Sequence, residues 1–375
     1  MIKVIISGGG TGGHVFPAIA IADAIRSKQI NANILFIGAK GRLEMDKVPA
    51  AGYRIEGLTI SGFQRRLTWK NLTFPFKLAG SMFKAWSLIR KFRPDVVVGV
   101  GGYASGPTLR IAASRGIPTL IQEQNSYPGV TNRLLSSKAD KICVAYEGME
   151  KFFPKEKIIL TGNPIRQDLT RLAGKEAESR SHFGLTEGKK TILVIGGSLG
   201  AGTINRAILN FIRQEFDPSA TQILWQCGKT HFVASNAALS GMKPTMKEKV
   251  QEVTCHAFID RMDMAYAAAD LIVSRAGAIA ISELCVAGKP AILIPSPNVA
   301  EDHQTRNAEA LVAANAAVML RDPEAGVRLG ATLVQLLGNT AWQSELASNL
   351  SGMAIPDAAS RIADEVLDLT VKIKR

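Results

Sequence analysis

The chain opens on a short β-branched run, Lys3–Ser7, that stops at Gly8-Gly9-Gly10-Thr11-Gly12-Gly13-His14. A helical stretch follows over Pro17–Arg26, with Ile19, Ala22 and Ile25, or Ala18, Ile21 and Ile25, on one stripe. Strand, glycine turn and helix together open a βαβ unit. The same grammar returns at Thr191–Ile195 with Gly196-Gly197-Ser198-Leu199-Gly200-Ala201. Further apolar strands are expected at Asn33–Ile37, Val96–Val100, Thr119–Gln122 and Lys141–Val144, then at Ile223–Gln226, Leu271–Ser274 and Ala291–Pro295. Helical stretches separate most of them, so each half reads as an α/β, doubly wound parallel sheet. A length of 375 residues suits two domains at roughly 100–200 residues each. The turn-rich Thr161-Gly162-Asn163-Pro164 places the boundary between 1–163 and 164–355. Two Rossmann-like domains facing each other across a cleft are the expected architecture.

Composition removes several classes. Apolar residues at 46% and charged residues at 21% exclude disorder and fibrous repeats. Cys143, Cys227, Cys255 and Cys285 form no C-x-x-C pair, which argues against a disulfide framework or cysteine zinc site and fits a reducing compartment. The N-terminus reads as a strand rather than a signal peptide, and no apolar run approaches the ~18 residues needed to span a bilayer. A soluble or peripheral cytoplasmic protein is expected. The charge is lopsided: residues 1–160 hold 23 Lys/Arg against 10 Asp/Glu, while the remainder is balanced. That excess points to an anionic partner for the first half. Nucleic acid would fit the charge alone, but no nucleic-acid motif supports it.

Gly8-x-Gly10-x-x-Gly13 satisfies the dinucleotide pattern, yet Phe36-Ile37-Gly38-Ala39-Lys40 ends the second strand without the acid that would hold a ribose. A nicotinamide cofactor is therefore not expected. What remains is a ring of backbone N–H groups at a helix start, suited to phosphate. Two more turns of this kind, Gly99-Val100-Gly101-Gly102-Tyr103-Ala104-Ser105-Gly106-Pro107 and Glu123-Gln124-Asn125-Ser126-Tyr127-Pro128-Gly129, also fall at strand C-termini, where open α/β sheets bind ligands. His14 ends the first turn. A helix N-terminus disfavours imidazolium, so His14 is a candidate proton acceptor as well as a candidate cap.

In the second half, Gly196-x-Ser198-x-Gly200 matches a nucleophile elbow, and Asp270 and His303 follow in hydrolase order. Ser198 can equally donate to a phosphate from that turn. After the strand Leu271–Ser274, Gly277 opens a helix whose first N–H groups can hold a diphosphate. Glu283, about two turns on, is a candidate for both ribose hydroxyls. No D-x-D triplet or paired histidines occur, so neither a metal nor another cofactor is expected.

Gly9-Gly10-Thr11-Gly12-Gly13-His14-x-x-Pro17-Ala18, Gly101-Gly102-Tyr103-x-Ser105-Gly106-Pro107, Glu123-Gln124-Asn125-x-x-Pro128-Gly129-x-Thr131-Asn132, Gly162-Asn163-Pro164-x-Arg166 and Ser274-Arg275-Ala276-Gly277 together resemble the MurG family, bacterial UDP-N-acetylglucosamine transferases that make lipid II from lipid I. The resemblance runs from Lys3 to Ala354-Ile355-Pro356-Asp357-Ala358. It implies the GT-B fold, an acceptor and membrane-side first domain, a UDP-sugar-binding second domain, and a closing helix, 356–375, that packs back on the first. In the inverting displacement this implies, His14 is the candidate base or else a ligand of the acceptor's diphosphate, and Ser198 and the Gly277–Ala278 helix end would lie on the donor diphosphate. Glu283 would hold the ribose, Ile259 the uracil through its backbone, and Gln304 the sugar. Thr11, Gly12, Gly13, Asn125 and Arg166 would complete the donor site, while Gly102, Tyr103 and Ser105 would take the acceptor's diphosphate. The chain departs from the family at Ala280, often Thr there, and at His303-Gln304, often paired glutamines.

The implied partners are UDP-GlcNAc, lipid I, an anionic membrane surface, and other cell-wall synthesis and division proteins. The implied location is the cytoplasmic face of the inner membrane. Lys77, Lys84 and Lys91 recur at seven-residue spacing on a helix near Phe74, Phe76, Met82, Phe83 and Trp86, the mixture with which a peripheral protein sits on anionic lipid. A UDP-sugar epimerase, a Ser198 hydrolase and a non-catalytic nucleotide-sugar binder are the rival readings.

Overall fold

In the computed structural model the described residues are 1–60, 74–197, 199–299 and 302–371, with the side chains of Phe74 and Gln167 left aside. The chain divides into two compact units, Met1–Arg166 with Ile355–Arg375, and Gln167–Ala354.

The first unit is built on seven parallel strands: β1 (Lys3–Ser7), β2 (Asn33–Ala39), β3 (Arg54–Leu58), β4 (Val96–Gly99), β5 (Thr119–Glu123), β6 (Lys141–Val144) and β7 (Ile158–Leu160). They lie in the order β3-β2-β1-β4-β5-β6-β7, so β1 and β4 flank the point where the winding reverses. The helices are α1 (Gly12–Lys28), α2 (Glu44–Ala50), α3 (Phe74–Phe92), α4 (Ser105–Ser114) and α5 (Val130–Leu135). Helix α1 starts at Gly12, ahead of the expected Pro17, and carries Pro17 inside it. One face of the sheet packs Val4, Ile6, Val96 and Val98 against Ile21 and Ile25 of α1. The chain's last helix, Ala358–Val371, joins that layer through Ile362, Ala363, Val366 and Leu369. Lys28 pairs with Asp364 at 2.7 Å, and Lys141 pairs with Glu365 on the same helix. Asn163 lies in the first unit, as expected, buried and bonded to Gln122 and Gln124, and that unit runs on to Arg166.

The second unit has six parallel strands: β8 (Lys190–Ile195), β9 (Thr221–Gln226), β10 (Val253–His256), β11 (Leu271–Ser274), β12 (Ala291–Leu293) and β13 (Val318–Met319), in the order β10-β9-β8-β11-β12-β13. Its helices are α6 (Glu176–Phe183), α7 (Gly202–Gln214), α8 (Phe232–Ser240), α9 (Lys247–Gln251), α10 (Met262–Ala268), α11 (Ala278–Ala287), α12 (His303–Ala313), α13 (Ala325–Leu337) and α14 (Thr340–Gly352), which leaves the closing helix Ala358–Val371 as α15. Its core sets Ile192, Val194, Ile223 and Trp225 against Ile204, Ile208 and Phe211 of α7 and Leu329 and Leu333 of α13.

Asp263, buried at the start of α10, accepts from Arg261 at 2.8 and 2.9 Å and from Lys175 at 3.2 Å. The Arg261 hydrogen bonds, with help from Lys175, hold its carboxyl well below the usual carboxylate range despite burial. A depressed folded-state value means that the stabilisation is complete above the ordinary 3.8 and is lost as pH falls toward the folded-state value. Asp263→Asn is therefore expected to lower stability at pH 6, with the gap to the parent closing in strong acid. Urea unfolding across a pH series checks this, and a gap independent of pH would count against it.

Candidate functional site

The first glycine turn follows β1. Gly9 and Gly10 adopt φ of 142° and 93°, and a side chain at Gly9 would come within 2.2 Å of the Glu44 carboxyl. Glu44, buried at the start of α2, accepts from Gly10 N–H at 2.8 Å and from Ala39 N–H at 2.9 Å. The Gly10 amide is thus turned onto Glu44, and it is Gly12 and Gly13 that open α1 as first-turn amides without intrahelical acceptors. Thr11 is the exposed, extended N-cap, and its Oγ1 lies 3.2 Å from Nδ1 of the half-buried His14. The other edge of the imidazole rests on the second turn, where a Cβ on Gly101 would lie 2.9 Å from His14 Nε2.

The second turn, after β4, has Gly101 and Gly102 at φ of 90° and 84°. A Cβ on Gly102 would stand 2.3 Å from the Gly9 carbonyl oxygen, so the two turns pack backbone on backbone. Tyr103 is half-exposed. Ser105 corrects an expectation: it is wholly buried, and its hydroxyl donates to Ser7 O at 2.7 Å and Gly101 O at 2.9 Å. Its side chain ties the two turns together rather than meeting a diphosphate, which leaves only its backbone at the start of α4 for that role.

The third turn, after β5, is organised by Glu123. This buried carboxylate accepts from Asn125 N–H at 3.0 Å, Asn125 Nδ2 at 3.1 Å, Gly129 N–H at 3.1 Å and Asn132 Nδ2 at 2.9 Å. Burial pushes the Glu123 carboxyl up, and these donors pull the other way. Asn163 donates to Gln124 O at 3.1 Å, linking the stretch that carries the half-buried Arg166 to this turn. Thr11–His14, Gly101–Ser105 and Asn125 therefore gather at one edge of the first sheet.

In the second unit the turn after β8 has Gly197 and Gly200 at φ of 83° and 85°. Gly200 lies so close to the loop after β9 that a Cβ would be 2.1 Å from Cys227 O. Ser198 lies outside the described residues. Gly277 is the extended N-cap of α11 and offers no capping side chain. Glu283, six residues on, accepts from the hydroxyl of the buried Tyr266 at 3.0 Å, which fixes its carboxylate. Gln304 Oε1 accepts from Ser296 N–H at 2.8 Å, and its Nε2 would be 4.0 Å from a Cβ on Gly277, so the amide borders the α11 start. His303 begins α12. Ile259, expected to read uracil through its backbone, donates its N–H to Gln226 Oε1 at 2.8 Å. In this state its carbonyl is the main-chain group left for a base.

Sequence reasoning missed Glu44, Gln226 and Arg275 as organisers. Arg275 donates to Ile294 O at 2.9 Å and Pro295 O at 3.0 Å and pairs with Asp322, bracing the loop after β12 beside the α11 start. The hydrolase order dissolves. Asp270 accepts from Thr191 N–H at 2.7 Å and Arg180 at 3.0 Å at the N-terminal end of the strands, whereas Gly197 lies at the C-terminal end. At ~3.3 Å per strand residue the two ends are roughly 15 Å apart.

On α3, Phe76 and Phe83 are 79% and 70% exposed, while Lys77 is half-buried. Phe83 stacks on Trp86, and the Arg90 guanidinium lies 5.3 Å from the Trp86 ring. Lys84 departs from its expected membrane role: its ammonium donates to Gly57 O at 2.9 Å and pairs with Glu56 at 3.4 Å, so its charge is matched within the unit. The Phe74 side chain lies outside the described residues.

The glycosyltransferase family 28 N-terminal domain matches residues 4–144, and the corresponding C-terminal domain matches residues 191–362. A protein of Flavobacterium psychrophilum, named UDP-N-acetylglucosamine–N-acetylmuramyl-(pentapeptide) pyrophosphoryl-undecaprenol N-acetylglucosamine transferase, is 52% identical over 98% of this chain and 97% of its own. A Parabacteroides distasonis protein of the same name is 53% identical over 99% of each. The crystal structure of Acinetobacter baumannii MurG superposes with a TM-score of 0.75 at 28% identity, covering 98% of this chain and 100% of that one. A UDP-GlcNAc 2-epimerase from Neisseria meningitidis shares the fold at a TM-score of 0.66 and 15% identity, over 98% of this chain and 100% of its own. With both domain models matched in order and half the residues shared along nearly the full length, the chain belongs to glycosyltransferase family 28 and is a transferase of the GT-B fold.

Proposed function

We propose that this enzyme moves GlcNAc from UDP-GlcNAc to the 4-hydroxyl of MurNAc in undecaprenyl-pyrophosphoryl-MurNAc-pentapeptide, giving lipid II and UDP in peptidoglycan synthesis. The observation that carries the reading is the identity of about half, over nearly the full length, with transferases named for that donor and acceptor. The geometry is compatible with it. In the second unit, the uncapped start of α11 suits a diphosphate, Glu283 suits a ribose diol, and Gln304 borders the α11 start. Ser198 would add a hydroxyl to the diphosphate and Ile259 would read the uracil. Thr11, Gly12, Gly13, Asn125 and Arg166 would supply the first unit's share of the donor contacts. Gly102, Tyr103 and the Ser105 backbone would meet the acceptor's diphosphate.

The reaction is an inverting displacement. The acceptor 4-hydroxyl attacks C1 of GlcNAc, the bond from C1 to the diphosphate oxygen breaks, and UDP departs with the electron pair. His14 takes the hydroxyl proton, and the α11 amides offset charge growing on the leaving diphosphate. The direct test is transfer of label from UDP-GlcNAc to a short-chain lipid I analogue, with and without EDTA. Transfer that survives EDTA supports donor, acceptor and a metal-free mechanism together. UDP binding without transfer would overturn the acceptor, and release of free sugar without acceptor would favour the epimerase reading.

Among the described residues no helix is long and apolar enough to cross a membrane. Docking of the first unit on the cytoplasmic face of the inner membrane is part of the proposal, supported by the exposed Phe76 and Phe83 beside Lys77. Cell-wall synthesis and division proteins are proposed as neighbours there. Phe76→Ser combined with Phe83→Ser is expected to lower co-sedimentation with anionic vesicles about tenfold or more, while Lys84→Gln has a smaller effect because Glu56 already matches its charge. Equal binding by the double variant would remove α3 from the docking surface.

A further inference from the structure

Gln226, the last residue of β9, is 3% exposed and lies between β8 and β10, in register with Ile195 and His256. Its carboxamide acts at both ends. Nε2 donates to the Gly197 carbonyl in the glycine turn after β8 at 3.2 Å, and Oε1 accepts from Ile259 N–H after β10 at 2.8 Å. Its own carbonyl accepts from Gly196 N–H at 3.4 Å. One buried amide thus fixes the spacing between a diphosphate-type turn and the main chain of Ile259. Within its own turn the Gly197 carbonyl also accepts from Gly200 N–H at 3.0 Å, but Gly197 adopts φ of 83°, with open space where a Cβ would be, and Ile259 lies beyond the end of its strand, so Gln226 is the side chain that joins the two.

We infer that Gln226 is a positioning residue for nucleobase selection, holding Ile259 where its main chain discriminates uracil from cytosine; this rests on the proposed UDP site. Uracil presents an N3–H donor beside a carbonyl, whereas cytosine presents an N3 acceptor beside an amino group. With its N–H held by Gln226, the Ile259 carbonyl kept at one setting accepts from uracil N3–H but meets the lone pair of cytosine N3, and a loosened segment adapts to either. Gln226 itself need not touch the base. The amide is irreplaceable by either simple isostere: methionine keeps its length but makes neither bond, and glutamate accepts from Ile259 N–H but sets a carboxylate against the Gly197 carbonyl.

The test is calorimetric binding of UDP and of CDP to the full-length protein and to Gln226→Met, Gln226→Glu and Glu283→Ala, with melting temperatures recorded for each. Gln226→Met is expected to weaken UDP about tenfold, to leave CDP within about twofold, and so to shrink the UDP-over-CDP preference. Gln226→Glu is expected to retain most of that preference, because the acceptor for Ile259 remains. A general loss of structure would weaken both nucleotides together and leave the ratio unmoved. An unchanged ratio in Gln226→Met overturns the inference, and if that variant fails to fold, loss of the preference in Gln226→Glu does so. Glu283→Ala separates the two readings. If it weakens UDP while the Gln226 ratio stands still, only the role of Gln226 fails; if UDP binding ignores Glu283, the donor site fails with it.

Discussion

Replacing His14 with Ala is expected to lower kcat by ~10²–10⁴-fold, the range that a positioned general base supplies, while UDP binding stays within about twofold. The imidazole stands between Thr11 Oγ1 at 3.2 Å and the Gly101 backbone, whereas the groups proposed for the donor's diphosphate, ribose and uracil belong to the second unit. Single-turnover transfer combined with UDP calorimetry reads the two quantities separately. A base is further marked by a pH–rate profile whose acidic limb disappears in the variant. An intact kcat with a raised KM for the lipid acceptor would instead make His14 a ligand of the acceptor's diphosphate.

Glu123→Ala is expected to be the most destabilising single change at the site, by roughly 3–5 kcal/mol, because a buried carboxylate leaves and its four donors lose the acceptor they share. The half-buried Asn125 loses both of its contacts with the carboxylate, Gly129 N–H loses its acceptor, and the buried Asn132 Nδ2 is left with the Gln122 carbonyl at 3.3 Å. Glu123→Gln retains one acceptor oxygen and is expected to lose less. At ~2–4 °C per kcal/mol for a unit of this size, the alanine variant should melt about 10 °C lower in calorimetry. A shift under 2 °C would mean that water or a neighbour replaces the carboxylate. Activity should fall along with stability, since Asn125 is oriented by the carboxylate that has been removed.

The sheets were legible where strands are buried on both sides, and less so at their edges. Val96–Gly99, Lys141–Val144 and Leu271–Ser274 announce themselves as apolar runs because neighbours cover both faces. The four strands that escaped sequence reasoning, β3, β7, β10 and β13, all lie at sheet edges. Val253–His256 is half-buried throughout, so no alternation marks it. The glycine turns could be read because a turn is a local demand on φ. Ser105, Lys84 and Ile259 could not be judged, because what occupies each lies far off in sequence: Ser7, Glu56 and Gln226. Glu44 and Glu123 illustrate the same limit. A glutamate beside a glycine turn looks solvent-facing until another segment closes over it.

Helix α15 gives the first unit an unusual history. Its apolar residues complete the layer beside α1, yet they are synthesised only after the whole of 167–354. At ~5–20 residues per second, α1 waits on the order of ten seconds or more on the ribosome with its partner stripe uncovered. The nascent first unit is therefore a client for chaperones in a way that the contiguous second unit is not. A stop codon before Ala358 would leave 167–354 whole while removing Ile362, Ala363, Val366 and Leu369 from the layer beside α1, so that such a nonsense change acts as a defect of the N-terminal unit.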